Sequence, residues 1–102
     1  MPEFNITDAH AETQAAWNAN ARYWDEHMGE GNTFVETLIW PPTLRLLAPQ
    51  PGQRILDIAC GNGLYARKLA ALGAHVLPFD FSPQMIEQAQ SRSSPDQTIE
   101  YL

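Results

Sequence analysis

Arg54-Ile55-Leu56-Asp57-Ile58-Ala59-Cys60-Gly61-Asn62-Gly63-Leu64-Tyr65-Ala66-Arg67-Lys68-Leu69-Ala70 decides the fold. Ile55, Leu56, Ile58 and Ala59 form a short apolar run, which predicts a strand covered on both faces of a parallel sheet. Gly61 and Gly63 permit a tight turn and a close approach of backbone to a ligand. Beyond them Tyr65, Leu69 and Leu72 recur at helical spacing, with Ala66 and Ala70 beside them. Asn62-Gly63 is also a hairpin signal, but a hairpin needs alternation after the turn, and residues 64–70 do not alternate. Strand, glycine turn and helix N-terminus together make a nucleotide-type binding site, because the free N–H groups of the helix point at the loop.

Downstream, Leu72-Gly73 closes that helix with glycine at the left-handed cap position. Residues 74–80 read as the second strand, with Pro78 expected to cost it pairing because proline has no N–H to donate. Asp80 ends the strand, 17 residues beyond Gly63, near the spacing at which an acidic residue reads a ribose diol. Ser82-Pro83 opens a further helix, with Ser82 as cap and Met85, Ile86 and Ala89 on its inner face. Thr98-Ile99-Glu100-Tyr101-Leu102 begins a third strand. The expected fold is α/β: a Rossmann-like, doubly wound parallel sheet that is incomplete in this chain, with residues 51–102 as its first half.

Ile55-Leu56-Asp57-Ile58-Ala59-Cys60-Gly61-Asn62-Gly63 resembles the first motif of class I S-adenosylmethionine-dependent methyltransferases, in which small residues stand two, four and six places after an acid. Asp57, Ala59, Gly61 and Gly63 fill those places, with alanine where the family usually has glycine. The resemblance continues through the next strand and helix and implies the N-terminal portion of such an enzyme. It implies that Asp57 helps hold the amino-acid tail of S-adenosylmethionine and that the backbone of Ala59, Cys60, Gly61 and Gly63 lines its methionine part. Asp80 would take the ribose, with Phe81 and Met85 as walls of an adenine slot. Cys60 reads as a small buried residue rather than a nucleophile. No catalytic base is assigned; His27 is the lone candidate, without a visible partner in the sequence.

Upstream, Thr7 or Asp8 is placed to cap a helix over residues 9–27, whose inward stripe reads Thr13, Trp17, Ala21, Trp24 and Met28. Residues 1–6 read as a loose arm, and residues 1–50 as a helical cap. The stretch Ala21-Arg22-Tyr23-Trp24-Asp25 resembles the segment that in many of these enzymes folds over the cofactor, so residues 1–50 are a candidate lid. Gly29-Glu30-Gly31-Asn32 breaks the helix, and Thr33 can cap a second one that Pro41-Pro42 ends or kinks. Pro42 then opens a turn with Leu44, Leu46 and Leu47 expected inward.

Composition narrows the function. The 102 residues suffice for one domain of modest core, and the net charge of −6 argues against a nucleic-acid footprint or an anionic membrane partner. The three histidines do not cluster and no Cys/His metal spacing appears, so no metal is expected. One cysteine, and no signal sequence or membrane span, point to the cytoplasm. The expected acceptor is a small molecule. Two other functions fit parts of the chain. Gly61-Asn62-Gly63-Leu64-Tyr65-Ala66 matches the G-x-G-x-x-A of NAD(P)-dependent oxidoreductases, although Asp57 would then face a pyrophosphate. A non-catalytic cofactor-binding fragment is the other, and its unpaired sheet edges invite self-association.

Overall fold

The computed structural model describes residues 3–102; Met1 and Pro2, part of the expected loose arm, lie outside the described residues. The elements in order are α1 (Ile6–Met28), a wide π-helical turn (Val35–Ile39), α2 (Trp40–Leu47), β1 (Arg54–Ile58), α3 (Leu64–Ala71), β2 (His75–Phe79) and α4 (Pro83–Arg92).

α1 starts earlier than expected because Asn5, not Thr7 or Asp8, is its cap. The Asn5 side chain accepts from the amides of Thr7 (2.9 Å) and Asp8 (3.2 Å). The helix ends at Gly29, which takes φ 48°. Its inward face also differs from the expected stripe. Ala21 and Asp25 are buried and Gln14 and Asn18 half-buried, whereas Trp17 and Trp24 remain 38% and 39% exposed. Polar partners far along the chain decide this rotation. Gln14 Nε2 donates to the Phe81 carbonyl (2.6 Å), Ser82 Oγ donates to Asn18 Oδ1 (2.5 Å), and Arg92 pairs with Asp25. α1 therefore lies on α4 and the preceding loop through hydrogen bonds more than through apolar burial.

Asn32, not Thr33, caps the next helical stretch, accepting from the Val35 amide (2.9 Å). Pro41 and Pro42 do not end it. The turn ahead of them widens so that the Trp40 amide reaches the Val35 carbonyl, and the prolines occupy the first turn of α2, where no donor is needed. Leu46, expected inward, is 88% exposed, and Leu47, though it borders a groove against β1, remains 42% exposed.

β1 and β2 pair in parallel, from Arg54 opposite His75 to Ile58 opposite Phe79. Ile55 and Val76 face α3, and Ala66, Leu69, Ala74 and Val76 form the core with Trp40, Ile55 and Ala70 packed against it. The other face is bare: Leu56, Ile58 and Phe79 are 55%, 68% and 45% exposed. β1 is thus not covered on both faces as its apolar run predicts, because no helix among the described residues lies on that side. Pro78 keeps its place in the pairing with β1, opposite Asp57. In a parallel strand, successive residues bond to alternate neighbours. The odd-numbered residues of β2 serve β1: the His75 amide reaches the Gln53 carbonyl and the Cys60 amide the Phe79 carbonyl. The missing donor of Pro78 therefore falls on the opposite side, toward residues 98–102. There Val76 donates to Thr98, while Glu100 and Leu102 donate to Val76 and Pro78, and the ladder is reduced to one bridge between Val76 and Ile99. The expected third strand runs alongside β2 without becoming a regular one.

Candidate functional site

The site forms where β1 and β2 end. After Ile58 the chain takes left-handed φ values at Ala59 (60°), Gly61 (57°) and Gly63 (78°). Residues 59, 61 and 63 are the places where the motif calls for small residues, and the backbone explains why. A Cβ at Gly63 would stand 3.0 Å from Arg67 Nη1, 3.1 Å from Ala89 Cβ and 3.2 Å from the Tyr101 hydroxyl oxygen. At Gly61 it would meet Met85 Cε at 3.5 Å and Trp24 Nε1 at 3.7 Å. Ala59 is exposed and has room for its methyl group, but holds it at a backbone angle that favours glycine.

Asp80 stands at the end of β2 and ties the two strand ends together. Its Oδ2 accepts from the Gly61 amide (3.0 Å) and its Oδ1 from the Ser82 amide (2.9 Å). An ionised carboxylate has about four acceptor positions, so these two bonds leave capacity for a pair of hydroxyls. Asp57 differs. Its Oδ2 is buried and has no hydrogen-bond partner. Burial first, and the Asp80 charge second, push its pKa up from 3.8 to about 6. A buried acceptor of this kind is costly alone and is satisfied by an incoming cationic donor.

The remaining residues of interest surround this pair. Cys60 is buried, and its thiol is pushed up to about 12 by burial and then by the Asp57 and Asp80 charges, so it stays protonated. Phe81 lies half-buried beside the loop, its ring stacked on His10 at 5.3 Å and 8°. Met85, expected as a wall of the adenine slot, is instead buried beneath Gly61 at 1% exposure, enclosed by the loop rather than open to a ligand. Ser82 caps α4 through the Met85 amide (3.2 Å), with Pro83 in the first turn. His27 is exposed on α1, its ring lies tilted by 30° against that of Tyr23 with centroids 3.9 Å apart, and its Nδ1 is 2.9 Å from the Tyr23 carbonyl.

The sequence reading misses a polar clasp behind the loop. Asn62, Arg67 and Asp25 are buried at 3%, 5% and 6% exposure. Arg67 Nη1 donates to the Asn62 carbonyl (2.5 Å) and its Nε to Glu30 (3.1 Å). Asn62 Nδ2 donates to Asp25 (3.1 Å) and to the Gly29 carbonyl (3.0 Å). Arg92 Nε and Nη2 reach the two oxygens of Asp25 at 2.6 Å and 3.1 Å. One signal for it exists in the sequence: Arg67 lies on the side of α3 that also carries Leu64, where an arginine requires carboxylate partners.

A parallel β–loop–α–β unit with small residues at the turn and an acid at the end of the second strand defines a Rossmann-like cofactor-binding site. Residues 55–102 match a family described as a methyltransferase domain. Over 60 residues, 59% of this chain and 24% of the relative, the chain is 45% identical to a demethylmenaquinone methyltransferase of Clavibacter sepedonicus. Over 94 residues, 92% of this chain and 20% of the relative, it is 31% identical to a 23S rRNA (uracil(1939)-C(5))-methyltransferase of Shewanella sp. (strain ANA-3). Two phosphoethanolamine N-methyltransferases of Haemonchus contortus share the fold. One, solved with phosphoethanolamine and S-adenosylhomocysteine, superposes with a TM-score of 0.71 at 21% identity, covering 93% of this chain and 20% of its own. The other, solved with S-adenosyl-L-methionine, gives 0.60 at 28% identity, with 82% and 21% covered. Over residues 55–102 the chain is thus similar to a methyltransferase domain, and it shares the Rossmann-like fold of S-adenosylmethionine-dependent methyltransferases over a short stretch. It spans about a quarter or less of the length of these two curated relatives.

Proposed function

We propose that this chain binds S-adenosylmethionine and supplies the cofactor-binding half of an enzyme that methylates a small-molecule acceptor. The observation that carries the reading is the unpartnered, buried carboxylate oxygen of Asp57 at the mouth of the 59–63 loop, with Asp80 beside it. Two carboxylates of different character suit a ligand that carries both a diol and a cationic tail. In this reading Asp80 accepts from the ribose hydroxyls and Asp57 receives the ammonium group. The backbone of Ala59, Cys60, Gly61 and Gly63 lines the tail, Phe81 flanks the adenine, and Met85 supports the loop from below. When bound, the cofactor supplies a methyl group on a positively charged sulfur, already a good leaving arrangement. The protein's share is then to orient the two reactants and exclude water.

α1 serves as the lid: it lies across α4 and brings Trp24 against Gly61. Residues 1–50 act with it as a cap on the cofactor unit formed by residues 51–102. The acceptor is the least constrained part. One relative is named for a quinone precursor and the other for ribosomal RNA. The net charge of −6 favours a small molecule over RNA, and the single cysteine fits a cytoplasmic setting. The open edge of β1 and the bare Leu56–Ile58–Phe79 face make self-association of the isolated chain the expected behaviour. Calorimetric titration of the purified chain with S-adenosylhomocysteine tests the reading. Uptake with one site per chain supports it; absence of heat under conditions where the chain is folded removes it.

A further inference from the structure

The loop that faces the cofactor is fixed from behind by α1. Asn62 sits between the two left-handed glycines, and glycine backbone has little shape of its own. The Asn62 side chain is fully committed: its Oδ1 accepts from the Leu64 amide (3.3 Å), and both Nδ2 hydrogens go to the end of α1, at Asp25 and the Gly29 carbonyl. Arg67 closes the same joint, taking the Asn62 carbonyl and reaching the Gly29 carbonyl at 3.4 Å. Asp25 is the hub. It receives Asn62 from the loop and two bonds from Arg92 on α4, and those partners together hold its carboxyl below the ordinary carboxylate range despite its burial. Elsewhere α1 is held by single neutral hydrogen bonds from Gln14 and to Asn18, so the clasp is its strongest attachment.

We propose that Asp25 is a positioning residue: through Asn62 it sets the 59–63 loop in its ligand-ready shape, so that docking of α1 and occupation of the loop reinforce each other. The proposal deepens the cofactor reading and rests on it. Coupling of this kind is reciprocal, so a ligand in the loop must also stabilise α1. The test uses the full chain, S-adenosylhomocysteine as probe, calorimetry for affinity and amide hydrogen exchange over residues 6–28. In the unaltered chain the probe is expected to slow exchange across α1. Asp25→Ala is expected to weaken probe affinity about tenfold or more and to abolish that slowing, whereas Asp25→Asn, which keeps an acceptor for Asn62, retains most of the affinity. Arg22→Ala removes only an exposed pair with Glu26 and leaves affinity and slowing unchanged. Should Asp25→Ala not fold, Asn62→Ser takes its place, keeping a hydroxyl acceptor for the Leu64 amide while losing both donors to α1, and the same losses are expected. A folded Asp25→Ala or Asn62→Ser that binds the probe as tightly as the unaltered chain overturns the positioning role alone. An unaltered chain that takes up no probe overturns the cofactor reading, and the positioning role with it.

Discussion

Replacing Asp57 by asparagine should make the chain more stable and less able to bind its cofactor. The carboxyl is raised from 3.8 to about 6 in the folded protein, by burial and then by the Asp80 charge. The folded state therefore holds this proton more tightly than the unfolded state. Well below pH 4 both states are protonated and nothing is lost; between about pH 4 and 6 the unfolded state ionises while the folded state keeps its proton, so stability falls, and above about pH 6 the full penalty is present. At roughly 1.4 kcal/mol per pKa unit the penalty above pH 7 is about 3 kcal/mol, or about 2 kcal/mol once the partial solvent access of Asp57 is allowed for. Asp57→Asn removes the charge with little change of shape, so it should gain about that amount at pH 7.5 and almost nothing at pH 4. Urea unfolding of both proteins at the two pH values reads this directly. The same variant should lose affinity for S-adenosylhomocysteine, since a neutral amide no longer attracts an ammonium group. A variant that is less stable than the parent at pH 7.5, or equally improved at both pH values, refutes the claim that Asp57 is an uncompensated buried charge.

Other substitutions probe the loop and its neighbours. Gly63→Ala meets both a left-handed backbone and three atoms within 3.2 Å of the new methyl group, and should cost about 2–4 kcal/mol, read as a large fall in melting temperature. Ala59→Gly relieves a left-handed alanine at φ 60° and should fall between neutral and about 1 kcal/mol stabilising, since the relief is partly offset by added chain entropy; chemical denaturation distinguishes it from Gly63→Ala by sign. Asp80→Asn should weaken cofactor uptake about tenfold or more by calorimetry, because it replaces the charged acceptor of the Gly61 amide that the proposal also assigns to the ribose. Sedimentation of the isolated chain should show association that grows with concentration, and a Leu56→Lys, Ile58→Lys double variant on the bare face should reduce it.

What the sequence made legible is the part governed by local punctuation. Gly61, Gly63 and Gly73 mark turns that only glycine or a strained residue can make, and Ser82-Pro83 marks a helix start, so the run from β1 to α4 emerges from neighbours a few residues apart. Residues 59, 61 and 63 could be placed for the same reason. The facing of α1 could not. Its aromatic residues suggest an apolar inner stripe, yet Gln14, Asn18 and Asp25 turn inward because their partners Phe81, Ser82 and Arg92 lie 67, 64 and 67 residues away. The exposure of Leu56 and Ile58 was hidden likewise, since an apolar run states what a strand can bury and not what is present to bury it. Pro78 signals a lost bond but not on which side of the strand, because that depends on strand phase rather than composition.

The central claim is that the 59–63 loop, Asp57 and Asp80 together bind a sulfonium nucleoside. The most direct measurement is a pair of calorimetric titrations of the purified, folded chain, one with S-adenosylmethionine and one with NAD. Saturable heat for the first and none for the second is the expected result. Saturable heat for NAD with none for S-adenosylmethionine contradicts the account.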